Sequence, residues 1–105
     1  MKAKLKKQMI LKDGTAYAKG TMFEINPPSE DKPGVAVIVD PAGRSVRVGS
    51  VSLHKKFSGF ENPTAAMSDP DFDSCSVPSL RGEMVEPDGW DENGWPSILL
   101  AMGMV

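Results

Sequence analysis

"VAVIVDPAGRSVRV", residues 35–48, is the stretch on which the fold turns. Its first leg is a nearly continuous run of β-branched residues, the composition of a strand. Pro41, Ala42 and Gly43 turn the chain, and the return leg alternates polar residues with Val46 and Val48. Alternation with a period of two puts every second side chain on one face, so the pair predicts a β-hairpin.

Similar signals extend toward the N-terminus. In "TMFEI" Thr21, Phe23 and Ile25 share one face, and Met22 and Glu24 share the other. In "KLKKQMILK" Leu5, Met9 and Leu11 fall on one strand face, with Lys7 marking an edge or an exposed end. Asp13-Gly14 follows, a dipeptide suited to positive φ at both positions of a two-residue hairpin turn. "TAYAK" is the returning strand. The three prolines of "NPPSEDKPG" remove backbone donors and make a loop, and "GSVSLHKKF" ends the region with a short turn and a last strand or helical turn. Five or so short strands in about sixty residues, with tight turns and no helical period, predict a small barrel or two-sheet sandwich.

The order "DGTAYAKGTMFEI", "VAVIVDPAGRSVRV", "VSL" resembles an SH3-like barrel, with its Lys-Gly-Thr strand start and Gly-Arg hairpin. That resemblance implies a five-stranded barrel over residues 4–57. A small barrel with an irregular tail is also similar in style to small proteins of phages and prophages. A shared fold carries no function of its own.

Residues 58–95 differ in kind. Pro63, Pro70, Pro78 and Pro87 are too close together for long helices, while Phe60, Met67, Phe72, Val77, Leu80, Met84, Val85, Trp90 and Trp95 are apolar anchors. A disordered tail rarely holds so many large apolar groups, so this acidic, proline-rich extension is expected to pack on the barrel. "GWPSILLAMGMV" predicts a short helix over 96–103, with Pro96 in its first turn and Gly103 as its C-terminal cap. The helix is apolar all round, so it should be buried, as a plug at one end of the barrel or as a dimer seam. The whole chain of 105 residues reads as one mainly β domain, monomeric or homodimeric.

Charge is sharply segregated. Eleven Lys/Arg against five acids give residues 1–60 a charge of +6, and Arg81 alone against nine acids gives the remainder −8. Two readings are open. The halves neutralise each other, or each faces a partner. The basic half offers Lys4, Lys6, Lys7, Arg44 and Arg47 as a nucleic-acid face. The acidic half offers "EPDGWDENGWPS", in which Glu86, Asp88, Asp91 and Glu92 surround Trp90 and Trp95. Tryptophan is favoured at binding hot spots, and a ring of acids steers a basic protein toward it. The preferred reading is therefore a non-catalytic protein-binding module whose partner has a basic surface. Its likeness in style to small phage proteins extends to anti-CRISPR proteins, and implies inhibition of a host protein that handles nucleic acid. Nucleic-acid binding by the basic face is the alternative, against which stands a sequence pI of about 5.3.

Other chemistries lack their residues. Asp69-x-Asp71-x-Asp73 opens like an EF-hand loop, but Ser74 and Leu80 stand where its glycine and bidentate glutamate belong; the loop around Gly94 fails similarly, with Leu100 in twelfth place. His54 and Cys75 are the only soft ligands, too few for a closed zinc site. The acids beside Cys75 oppose a thiolate, His54 has no triad around it, and no phosphate-cradling glycine loop occurs. Neither cofactor, metal nor catalysis is expected. A single cysteine, with no signal-peptide pattern and no run long enough to cross a bilayer, implies a cytoplasmic setting without membrane contact.

Overall fold

The computed structural model describes residues 1–73 and 75–105. In chain order it contains β1 (Lys2–Lys4), β2 (Met9–Ile10), β3 (Ala16–Tyr17), β4 (Met22–Asn26), β5 (Val35–Val39) and β6 (Ser45–Gly49). A 3-10 turn (Ser50–Ser52) leads into α1 (Leu53–Lys56) and α2 (Pro63–Met67), and β7 (Val77–Pro78), β8 (Met84–Val85) and α3 (Ile98–Ala101) complete the chain. The fold is mainly β. Its centre is a four-stranded antiparallel sheet in the order β1-β4-β5-β6, beside which β2-β3 and β7-β8 form two-stranded ribbons.

The alternation seen in the sequence sets the sheet's faces. Phe23, Ile25, Ala36 and Ile38 point inward and are essentially fully buried, while Met22, Val35, Ser45 and Arg47 point outward. Ile25 faces Ile38, and Ile38 faces Val46, so the register stacks one apolar row across three strands. Burying each such side chain is worth about 1.5–3 kcal/mol. Tyr17 and Phe57 close on Phe23 edge to face, at centroid distances of 4.9 and 5.7 Å. A lone bridge between Leu5 and Phe57 brings the end of the basic region back beside β1. Among the described residues no pairing joins β6 to β1, so the sheet stays open where a closed five-stranded barrel was expected.

Local chemistry explains the other departures. The expected first strand is broken between β1 and β2, where Lys6 turns aside: its backbone N–H reaches the Lys56 carbonyl, and its Nζ donates to the His54 carbonyl at 2.8 Å. The turn at Asp13-Gly14 has three loop residues, not two. Leu11 N–H bonds Thr15 O, Gly14 N–H bonds Leu11 O, and only Gly14 takes positive φ, at 90°. Asp13 stays on the ordinary side of the map, as a side chain prefers. Residues 50–56 are helical turns. Asn62 caps α2 by accepting from Ala65 N–H at 3.2 Å, with Pro63 at its first position. α3 starts two residues later than the expected helix, so Pro96 precedes its first turn, and Ser97 forms the cap by accepting from Leu100 N–H at 3.0 Å. The C-terminal cap is as expected: Gly103 N–H bonds Leu100 O and Met104 N–H bonds Leu99 O, the paired bonds of a Schellman end.

The acidic half shares the core of the basic half. Val77, Leu80, Trp95, Ile98, Leu99 and Ala101 join Leu5, Phe23, Leu53 and Phe57 in one cluster. No ion pair joins the halves among the described residues. Both ion pairs found among the described residues, the N-terminal ammonium with Glu24 and Arg44 with Asp13, lie within the basic half. Apolar burial is the main link between them, with Arg81 set over the Phe60 ring. Ile98→Ala should therefore cost about 2–5 kcal/mol in urea unfolding, with Met104→Ala within about 0.5 kcal/mol of wild type.

Candidate functional site

A single turn design shapes the acidic surface, and it occurs first in the central hairpin. In Asp40-Pro41-Ala42-Gly43-Arg44 the Asp40 N–H bonds Arg44 O, the Gly43 N–H bonds Asp40 O, and Gly43 has φ of 91°. Asp40 Oδ1 seals the loop by accepting from the N–H groups of Ala42 and Arg44 at 3.0 and 2.8 Å. Asp91-Glu92-Asn93-Gly94-Trp95 repeats each of these bonds, with Asp91 Oδ1 accepting from Asn93 and Trp95, both at 2.9 Å. Ser79-Leu80-Arg81-Gly82-Glu83 does so with a hydroxyl, Ser79 Oγ accepting from Arg81 and Glu83 N–H at 3.1 and 3.3 Å.

The second and third turns are fastened to one another. Ser79 Oγ–H donates to Asp91 Oδ2 at 2.7 Å. Asp91 is 7% exposed and Ser79 fully buried, so this carboxylate is held by three donors out of reach of most water. A buried charge persists only when so satisfied, and bonds to a charged acceptor are the stronger kind. Further bonds extend the junction: Leu80 N–H to Pro96 O and Ser97 N–H to Gly89 O along the backbone, and the Ser97 hydroxyl to Pro87 O. Asp91 is thus placed in the interior, bonded to its own turn. The expectation that it lines a binding face is corrected.

Trp95 is corrected in the same way. It is 2% exposed and packs edge to face on Phe60, with centroids 5.2 Å apart. Arg81 lies over the Phe60 ring, 5.1 Å from its centre, and donates to the Gly59 carbonyl. Trp90 is half-buried, and Glu86, Asp88 and Glu92 are exposed. The surface that remains is Glu86, Asp88, Trp90 and Glu92, with the neighbouring Glu83 and the 62%-exposed Met84.

Beside it a groove of about 410 Å³ runs between α2, the turn of residues 69–73 and the β7–β8 ribbon. Glu61, Asp69, Asp71 and Asp73 rim it, and Phe72 and Met84 give it apolar lining. Two of the aspartates there serve their own turns: Asp69 Oδ1 accepts from Asp71 N–H at 2.9 Å, and Asp73 Oδ1 from Cys75 N–H at 2.8 Å. Ser74, sixth in the first aspartate ladder, lies outside the described residues.

The basic candidates do not form one face, although Arg44 and Arg47 line the same groove. Lys4 and Arg47 belong to β1 and β6, the two ends of the sheet order, roughly 14 Å apart at ordinary strand spacing. Lys6 is drawn to the His54 carbonyl, and Lys7 is exposed just beyond it. Arg44 is spent on Asp13 and on Thr15 Oγ1, the latter at 2.9 Å. The Thr15 backbone N–H, with the Arg44 guanidinium, lowers the Asp13 carboxyl from 3.8 to about 2. The Tyr17 hydroxyl donates to Asp40 Oδ2 at 2.7 Å, which lowers the Asp40 pKa and raises that of Tyr17. These bonds build the sheet's corner, and sequence reasoning assigned none of them. It also missed Ser79, whose Ser-x-x-Gly spacing matches Asp40 and Asp91 and was its available signal.

No family model, curated protein or solved structure matches the chain.

The two tryptophans can be read separately by acrylamide quenching. Trp90→Phe, which leaves Trp95, should show blue-shifted emission that resists quenching, whereas Trp95→Phe should leave a red-shifted, readily quenched Trp90. Equal quenching of the two variants would contradict the burial described.

Proposed function

We propose that the protein is a non-catalytic binding module that presents an acidic face to a basic surface of another protein. The observation that carries this reading is a charge separation left unused inside the molecule: +6 on residues 1–60 and −8 beyond them, with no ion pair crossing between the halves among the described residues. Exposed carboxylates of one sign attract and orient a basic partner, and a half-buried tryptophan with nearby apolar surface supplies contact area. Glu86, Asp88, Glu92 and Trp90 carry the face in this reading, and the acid-rimmed groove by Met84 extends it. Proteins that handle nucleic acid display the required basic surface, so we infer inhibition by occupation of that surface as the mode of action.

We further infer an open variant of an SH3-like barrel as the scaffold. The Leu5–Phe57 bridge supports it by adding a fifth extended position beside the order β1-β4-β5-β6, and so does the 3-10 turn directly after β6.

The test is capture from lysate with charge-reversed variants, each checked for an unchanged melting temperature. A partner held by wild type and by Lys4→Glu/Lys7→Glu, lost on Glu86→Lys/Asp88→Lys/Glu92→Lys and weakened by Trp90→Ala, is the expected outcome. A partner lost on Lys4→Glu/Lys7→Glu and on nuclease treatment, but kept by the acid-reversed variant, would transfer the function to nucleic-acid binding. Asp91→Lys is unsuitable here, because it would break the buried junction.

A further inference from the structure

Among the described residues β6 carries a strand on one side only. The hydrogen-bond parity of the sheet sets which of its backbone groups point outward. Asp40 N–H bonds Arg44 O and Ser50 N–H bonds Gly34 O, so within the register Val39↔Ser45 to Val35↔Gly49 the bonded pairs are Ile38↔Val46 and Ala36↔Val48. The N–H and C=O groups of Ser45, Arg47 and Gly49 therefore face away from β5. All three residues are exposed, and β6 ends the strand order. An edge of this kind is a template for strand pairing unless something blocks it. The opposite edge is blunted: Lys2 and Lys4 stand on β1, and Lys6 N–H already bonds Lys56 O.

Grooves open on both sides of β6 and meet at Arg47. One, of about 590 Å³, is lined by Pro27, Pro28, Lys32, Val35, Val37 and Arg47 and reaches Gly49, where no side chain stands in the way. The other, of about 440 Å³, lies between β6 and the β2–β3 hairpin tip, among Leu11, Lys12, Asp13, Arg44, Val46 and Arg47. A strand added to β6 sends alternate side chains to its two faces. Two grooves flanking one edge match that alternation. Lys12, Lys32 and Arg47 stand around them against Asp31, Arg44 being neutralised by Asp13. The charge complement is acidic. Self-pairing of two copies centred on β6 would set Arg47 opposite Arg47, a repulsive cross-strand pair.

We propose that β6 accepts an extended acidic segment of a partner protein as an additional antiparallel strand, with main-chain bonds at Ser45, Arg47 and Gly49 and alternate side chains in the two grooves. The mode is strand addition, in which backbone bonds give affinity and the grooves give selectivity.

Amide NMR on the full chain tests it, with a short capped peptide alternating glutamate and valine as the probe. The Ser45, Arg47 and Gly49 amides should exchange quickly in the free protein, then shift and become protected on titration. Arg47→Glu should weaken binding roughly tenfold, and Arg47→Pro by a similar factor. The proline deletes an outward donor and leaves the β5 pairing intact, as edge strands tolerate. If Arg47→Pro misfolds, the same peptide with alternate amides N-methylated removes the donors from the other side, and its binding should vanish although its charge is unchanged. Equal binding by the methylated peptide, shifts centred on Lys2 and Lys4, no saturable shift at the three amides, or concentration-dependent protection of β6 without peptide would each overturn the proposal.

Discussion

The buried carboxylate of Asp91 is the constraint on which the second half of the molecule depends. It accepts from two backbone N–H groups of its own turn and from the hydroxyl of Ser79, which seals another turn of the same design. These bonds fix how two irregular loops lie against each other, in a region with few regular backbone ladders. The fixed junction sets Leu80 and Trp95 into the core, starts α3 at Ser97 and leaves Glu86, Asp88 and Glu92 outside. Three donors to one ionised acceptor can offset the cost of burying it. An apolar residue there would leave the same donors unpaired.

Apolar burial and charge then divide the work. The halves are joined by one core that includes Phe57, Val77, Leu80, Trp95 and Ile98, and by the Phe60–Trp95 and Arg81–Phe60 contacts. Because the core supplies the attachment, the opposite charges need not meet, and the described ion pairs stay on the basic side. A small chain with a net charge of −2 thereby holds together two sequence halves of strongly opposite charge. Such a charge distribution favours oriented encounter over nonspecific adhesion.

Much of the sheet was legible in the sequence because strand periodicity is a local property. Residues 35–48 form the hairpin they predict, and Phe23 with Ile25 faces inward as alternation requires. Barrel closure was not legible, since it depends on how far the strands coil and on a single Leu5–Phe57 bridge. The Asp13-Gly14 turn was misread because a two-residue loop demands left-handed backbone at the aspartate, whereas a third loop residue confines that demand to Gly14. Asn62-Pro63 signalled a helix start that the crowding of prolines obscured. At the candidate site, residue type alone could not separate the four acids. Glu86, Asp88 and Glu92 are exposed; Asp91 stands three residues before Gly94 with a side chain short enough to fold back on its own turn, whereas Glu86 has the same spacing to Gly89 but a longer side chain that makes no such bond. Trp95 followed it inward.

A double-mutant cycle in urea tests the role of Asp91 most directly, comparing wild type with Ser79→Ala, Asp91→Ala and both together. The account predicts that Asp91→Ala costs about 3 kcal/mol or more, and that the two losses fall short of additivity by at least about 1 kcal/mol. An Asp91→Ala protein within about 0.5 kcal/mol of wild type, or two losses that simply add, would contradict it.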